Sequence, residues 1–199
     1  MAWIGQSNDG DLAVSRVHVA DDVESRVGFA SLEVEESHFE RCSYAGCDFS
    51  HTVFEDVLFS GCDFSNSDFS ASNFMRCGFR SCKLTGTDFS EATFRLIDME
   101  DSTCSYASFA KARWEDSLVA SSDFSHADIG EARLKGVSFD GVRFVGTSFF
   151  RTSLFGIDLT TCQLADIVLS DAMGELRGCT MDLYQAAGIA QRLGVIVES

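Results

Sequence analysis

Residues 62–74 read CDFSNSDFSASNF, which places Phe64, Phe69 and Phe74 five positions apart. Neither common period accommodates that spacing. On a helix of about 3.6 residues per turn, a five-residue step rotates the side chain by roughly 140°, scattering the rings around the cylinder. On a strand of period two, an odd step sends successive rings to opposite faces. The chain must turn once in every block of five to keep each phenylalanine on the same side.

The register extends far beyond this stretch. Every position whose number ends in 4 or 9, from Phe29 to Leu169, carries Phe, Leu, Ile, Val, Met, Trp, Tyr or Cys. Phe150 and Phe155 are the only phenylalanines outside it. Two positions earlier in each block the residue is small or β-branched with few exceptions, as at Cys42, Cys47, Thr52, Ser67, Ser72, Thr87 and Ala92. Each block therefore points one large and one small side chain inward and three outward. A fixed period of this kind predicts a turning solenoid in which each coil packs on its neighbours.

The chain has 199 residues, 45% of them hydrophobic, with no proline, which suits one ordinary domain without linkers or a disordered tail. No stretch approaches the roughly 18 apolar residues of a membrane span. The first residues, MAWIGQSNDGDLAVSR, lack the basic start and apolar run of a secretory signal, so a cytoplasmic location is expected. The net charge of −16 opposes direct binding to nucleic acid and favours a basic partner or solubility alone. The acidity is uneven, with balances of −10, −4 and −2 over residues 1–66, 67–133 and 134–199.

The pattern resembles the pentapeptide-repeat family, whose consensus A(D/N)LXX is matched by SNSDFSASNF with Phe in place of Leu. The resemblance spans roughly residues 27–182. It implies an all-β fold, a right-handed quadrilateral parallel β-helix with four blocks per coil. Some seven coils at the strand spacing of about 4.8 Å would give a rod roughly 35 Å long. Residues 1–26 are expected to form an N-terminal cap segment, and residues 183–199 a C-terminal helix and strand.

Cysteine and histidine fit this frame without chemistry. Cys42, Cys47, Cys62, Cys77, Cys82 and Cys162 take the small inward position and Cys104 the large one; Cys179 joins them if the register shifts by two after Asp171, which Leu176 and Met181 support. Buried free thiols are expected, since no closely paired zinc ligands occur. His18, His38, His51 and His126 are scattered, and no GxSxG, P-loop or dinucleotide fingerprint is present. No catalytic residue, metal or cofactor is expected.

With 20 residues per coil, Asp48, Asp68 and Asp88 form a column that Asp128 rejoins after Ser108. Such an Asp can hydrogen-bond local backbone at a turn. It can also imitate DNA phosphates, which follow one another at about 3.4 Å along a strand. Glu35, Glu36, Glu55, Asp56, Glu115 and Asp116 lie outside that slot and are the better recognition candidates.

At the C-terminus, Asp182 can cap a short helix over residues 183–193, closed by Gly194. Tyr184, Ala187, Ile189 and Leu193 would line much of its apolar side, and Val195–Val197 would form a strand. Phe150 and Phe155 point outward in the last coils and need cover, from the helix or from a second subunit. The run LRG at 176–178, Asp182, Tyr184-Gln185-Ala186 and Arg192-Leu193-Gly194 is similar to the C-terminal module of the plasmid quinolone-resistance (Qnr-type) proteins. The mycobacterial fluoroquinolone-resistance type has a looser ending, and its loopless repeat is nearer to the unbroken register here. That resemblance implies a homodimer joined through Phe150, Phe155, Tyr184, Ala187, Ile189, Leu193, Val195 and Val197. It further implies a non-enzymatic DNA mimic that binds DNA gyrase, and often topoisomerase IV. The competing reading is an acidic repeat scaffold with no effect on topoisomerases.

Overall fold

The computed structural model describes residues 13–198. The chain winds as a right-handed quadrilateral parallel β-helix of about eight turns, with one short helix at its C-terminal end. Three-residue strands recur every twenty residues on two adjacent faces. On the first lie β1 (Ala13–Ser15), β3 (Glu33–Glu35), β5 (Val53–Glu55), β7 (Asn73–Met75), β9 (Thr93–Arg95), β11 (Arg113–Glu115) and β13 (Arg133–Lys135). On the second lie β2 (His18–Ala20), β4 (His38–Glu40), β6 (Leu58–Ser60), β8 (Gly78–Arg80), β10 (Asp98–Glu100), β12 (Leu118–Ala120) and β14 (Ser138–Asp140). Each set forms a seven-stranded parallel sheet in exact register of twenty, with Phe54 opposite Phe74 and Phe59 opposite Phe79. The third and fourth faces are built mostly from single bridges such as Ser43 to Asp63 and Asp48 to Asp68. On the third face two strands also pair, β15 (Arg143–Val145) and β16 (Gln163–Ala165).

The corners answer the spacing of five. Two residues after nearly every large inward side chain the backbone enters the left-handed region, as at Asn66 (φ 58°), Ala71 (φ 54°) and Arg76 (φ 53°). After the third and fourth faces the turn is closed by a bond across four residues, as from Ser67 N–H to the Phe64 carbonyl at 3.0 Å. Positive φ at the third residue alone makes this a type II turn. A left-handed conformation costs a non-glycine residue about 1–2 kcal/mol, so ladder bonds and packing in every coil must offset it.

The interior supplies that packing. Twenty-six of the positions ending in 4 or 9 between Phe29 and Leu169 are buried; Leu134, Leu164 and Leu169 are partly so. Rings stack from coil to coil: Phe29, Phe49, Phe69, Phe89 and Phe109 follow one another at centroid separations of 4.8, 4.7, 5.2 and 5.0 Å. Burying such a side chain is worth about 1.5–3 kcal/mol. The small inward slot does separate work. There Ser67, Ser72 and Thr87 donate to the carbonyls of Tyr44, Phe49 and Phe64 at 2.7–2.8 Å, so buried hydroxyls and backbone satisfy each other. All eight cysteines are free thiols, seven of them buried. Burial pushes the Cys77 thiol up to about 12, which leaves it protonated and unreactive at neutral pH.

Three expectations change. The winding does not begin at residue 27: β1 and β2 already pair with β3 and β4, so residues 13–26 are a full member of the solenoid. Their inward positions Val14 and Val19 continue the register, and the charged Glu24 in the next large slot hid the continuation from the sequence. The turns accordingly number about eight rather than seven. Val195–Val197 is not a strand. Val195 N–H instead returns to the Ala190 carbonyl at 3.1 Å. The part of the expected cap segment at residues 1–12, and Ser199, lie outside the described residues. The register shift of two is present: Asp158 pairs with Thr180 instead of residue 178.

Candidate protein-binding surfaces

The fourth face carries the aspartate column. Asp48, Asp68 and Asp88 are successive bridge partners, followed by Ser108 and Asp128. Each aspartate also accepts the backbone N–H two residues on: Ser50, Ser70, Ser90 and Gly130 donate at 2.8–2.9 Å. One carboxylate oxygen thus braces a turn, and the side chain still presents its charge along the rod. The turn role and the charge role are carried together.

The first face behaves differently. Glu35 and Glu55 are direct neighbours in the ladder between β3 and β5. Cations in the same columns meet the adjoining acids. Glu36 accepts from Arg16 at 2.7 Å, and Asp56 accepts two bonds from Arg76 at 2.7 Å. Arg76 also contacts Glu55, and its bond to Asp56 holds that carboxyl below the usual range. Glu115 faces Arg95 at 3.9 Å and Lys135 at 3.8 Å, while Arg113 and Arg133 are paired neighbours in the same sheet. This face is acidic toward the N-terminus and basic toward the C-terminus. Glu115 therefore does not extend the Glu35–Glu55 ladder, because Met75 and Arg95 stand between them in the column, and Asp116 belongs to the adjoining corner column. Pairs this exposed contribute only about 0–1 kcal/mol each, and a binding partner can replace them.

The C-terminal end is closed by polar side chains. Glu175 is buried at 5% exposure, accepting Arg151 N–H at 2.8 Å, Ser170 N–H at 3.0 Å and the Ser170 hydroxyl at 2.9 Å. Helix α1 (Leu183–Arg192) starts with a reciprocal cap between Asp182 and Gln185. Gln185 then donates to the Leu159 and Cys162 carbonyls, each at 2.7 Å, and Arg192 donates to the Ile167 carbonyl. Ile189 packs on the core, and Ala187 is half-buried. The helix thus caps its own rod. Its other side remains apolar and open: Tyr184 is 86% exposed, Ile196 88%, and Leu183, Leu193, Val195 and Val197 are exposed as well. Phe155 is 73% exposed and its ring lies against Gly178, while Phe150 is less exposed and sits under Arg151.

Sequence reasoning missed several residues of these regions. The end-capping Glu175 carried no periodic signal. Leu96 did: the corner positions are otherwise almost all polar or glycine, so a leucine at 96 stands out once the corners are located, whereas Leu118 opens strand β12 and carries no such signal. His18 stacks on His38, and Tyr106 on His126, both at 4.9 Å. No group of three or more His, Cys, Asp or Glu among the described residues is placed to hold a metal ion. No helix among the described residues is long and apolar enough to cross a membrane.

A coil of four five-residue blocks, braced by corner aspartates and filled by stacked rings, defines a pentapeptide-repeat rod. The chain belongs to the pentapeptide-repeat family: the pentapeptide repeat region profile matches residues 32–109 and 52–129, and the pentapeptide repeats profile of eight copies matches residues 120–154. Among solved structures it is similar to QnrB1, a plasmid-mediated fluoroquinolone resistance protein. One trypsin-treated variant of QnrB1 matches with a TM-score of 0.66 at 24% identity, covering 96% of this chain and 100% of that one. A second trypsin-treated variant matches at 0.55 and 25% identity over 94% and 100%, and the full-length form at 0.54 and 22% over 92% and 100%. No curated protein sequence matches this chain.

Proposed function

We propose that this protein is a cytoplasmic, homodimeric DNA mimic that binds DNA gyrase, and by extension topoisomerase IV, and so confers resistance to quinolones or another topoisomerase poison. The observation that carries the reading is the likeness to QnrB1, which covers 94–96% of this chain and all of that one in two forms. The fourth-face column of Asp48, Asp68 and Asp88 supports it by presenting carboxylates at the strand spacing, near that of DNA phosphates. Of the N-terminal acids, Glu35 and Glu55 end the strands of the neighbouring first face, and Glu36 and Asp56 occupy the corner beyond them. The exposed apolar residues at and just beyond α1 support the dimer: Tyr184, Leu193, Val195 and Val197 are the kind of side chains that association removes from water.

The test is gyrase supercoiling and quinolone-induced DNA cleavage, each with and without the protein. Reduced drug-induced cleavage or altered supercoiling is expected, weakening as salt rises. Indifference of both activities at a large excess of protein would leave the acidic scaffold as the better reading.

A further inference from the structure

Leu96 occupies a corner with φ 55°, where leucine is strained, and it is 48% exposed. The other non-glycine residues at positive φ are polar or alanine apart from Tyr106 and Met173. Leu118, one coil further along the second face, is 44% exposed. Leu58 lies across Gly78, whose missing Cβ leaves room for it: an added Cβ would sit 2.8 Å from Leu58 Cδ1. These leucines line two open hollows of about 370 and 630 Å³ that meet at Leu96 and Asp98. The rim is acidic. Asp116 shares both the corner column of Leu96 and the coil of Leu118. Glu100 and Asp140 are neighbours of Ala120 on either side in the ladder of β10, β12 and β14. None of these three carboxylates makes a salt bridge among the described residues, whereas the nearby Asp56 and Asp98 face Arg76 and Arg80.

An apolar centre bordered on its C-terminal side by carboxylates that no salt bridge engages has the anatomy of a protein interface. Pure imitation of DNA needs no leucine, and a strained one still less. We propose that the Leu58–Leu96–Leu118 strip is a docking surface for a basic protein partner, which places an apolar ridge in the hollows and lysine or arginine side chains on Glu100, Asp116 and Asp140. The proposal rests on the gyrase reading and deepens it: the acidic columns supply a salt-dependent contact, and the leucine strip a salt-independent one that DNA cannot reproduce.

The experiment measures the affinity of the full chain for gyrase over a range of salt, for wild type, Leu96→Asn, and Leu96→Asn with Leu118→Ser. Asparagine tolerates the left-handed corner, so the single variant keeps or raises the melting temperature. The double variant is expected to bind about tenfold more weakly with an unchanged salt slope, and the single variant to carry a clear share of that loss. Changing Glu100, Asp116 and Asp140 to their amides is expected to flatten the salt slope instead. Wild-type binding that neither leucine variant weakens overturns the docking strip and leaves the gyrase reading intact. Absence of wild-type binding overturns both.

Discussion

The middle coils and the C-terminal end obey the same hydrogen-bonding demand in different ways. In the middle, each backbone group that one coil leaves open meets the next coil, as when Phe69 N–H donates to the Asp88 carbonyl at 2.7 Å. After the last described coil, side chains take the place of a neighbouring one: Glu175 receives Arg151 N–H, and Gln185 and Arg192 reach the last carbonyls. The middle is repetitive and therefore specified by period. The end is specified by individual residues, each with a unique partner. Stability in the middle should depend on filling volume, and stability at the end on satisfying particular polar atoms.

The largest effect should come from the middle. Phe64 is 1% exposed, and its ring lies 5.3 Å from those of Phe59 and Phe69. Phe64→Ala should cost about 3–5 kcal/mol, since the flanking coils are held by their ladders and cannot collapse onto the gap. Chemical denaturation measures it. A loss under about 1 kcal/mol would mean that the coils do relax, and would erase the contrast between a volume-controlled middle and a contact-controlled end.

The end gives the next effect, with a dependence on pH. Burial alone would raise the Glu175 carboxyl, but bonds from its own backbone, Arg151, and the Ser170 hydroxyl and N–H outweigh it and hold the carboxyl below its ordinary value. A depressed folded-state value stabilises the protein above the unfolded-state pKa, and that stability is lost as pH falls through the folded value. Glu175→Gln should cost about 1–3 kcal/mol at neutral pH, because the charged acceptor is gone. The difference between variant and wild type should shrink in acid, when Glu175 is itself protonated. Thermal unfolding across that range tests it; a constant difference would show that shape, and not charge, fits Glu175 to its site.

This contrast also explains what the sequence could reveal. The inward register, the free thiols and the shift of two before Thr180 were legible because each repeats a side-chain type against a fixed spacing. The first described coil was lost to one inward glutamate, Glu24. The aspartate column was legible as position but not as purpose, since the i to i+2 bond and the outward charge use the same residue. The pairing of Asp56 with Arg76 follows from stacking at twenty and could have been read by aligning the columns. The strand expected at Val195–Val197 is instead irregular chain after the helix. Glu175 and Gln185 were illegible because their partners are backbone atoms of a terminal coil, set by where the repeat stops.

The smallest effect separates the two uses of the aspartate column. Asp68 accepts Ser70 N–H at 2.8 Å through one oxygen and stacks between Asp48 and Asp88. Asp68→Ala removes that acceptor and should cost about 0.5–1.5 kcal/mol. Asp68→Asn keeps an amide oxygen in the same place and removes the charge. Its stability should stay within about 0.5 kcal/mol of wild type, since repulsion between exposed carboxylates at this spacing is itself only on the order of 1 kcal/mol. Asparagine at positions 48, 68, 88 and 128 together should then leave the rod folded while weakening gyrase binding and lowering its salt dependence. If the asparagine variants lose as much stability as Asp68→Ala, the ionised carboxylate is part of the turn, and the column owes its charge to folding. If they fold normally and bind gyrase as wild type does, the fourth face is excluded as the contact and the partner must read another side of the rod.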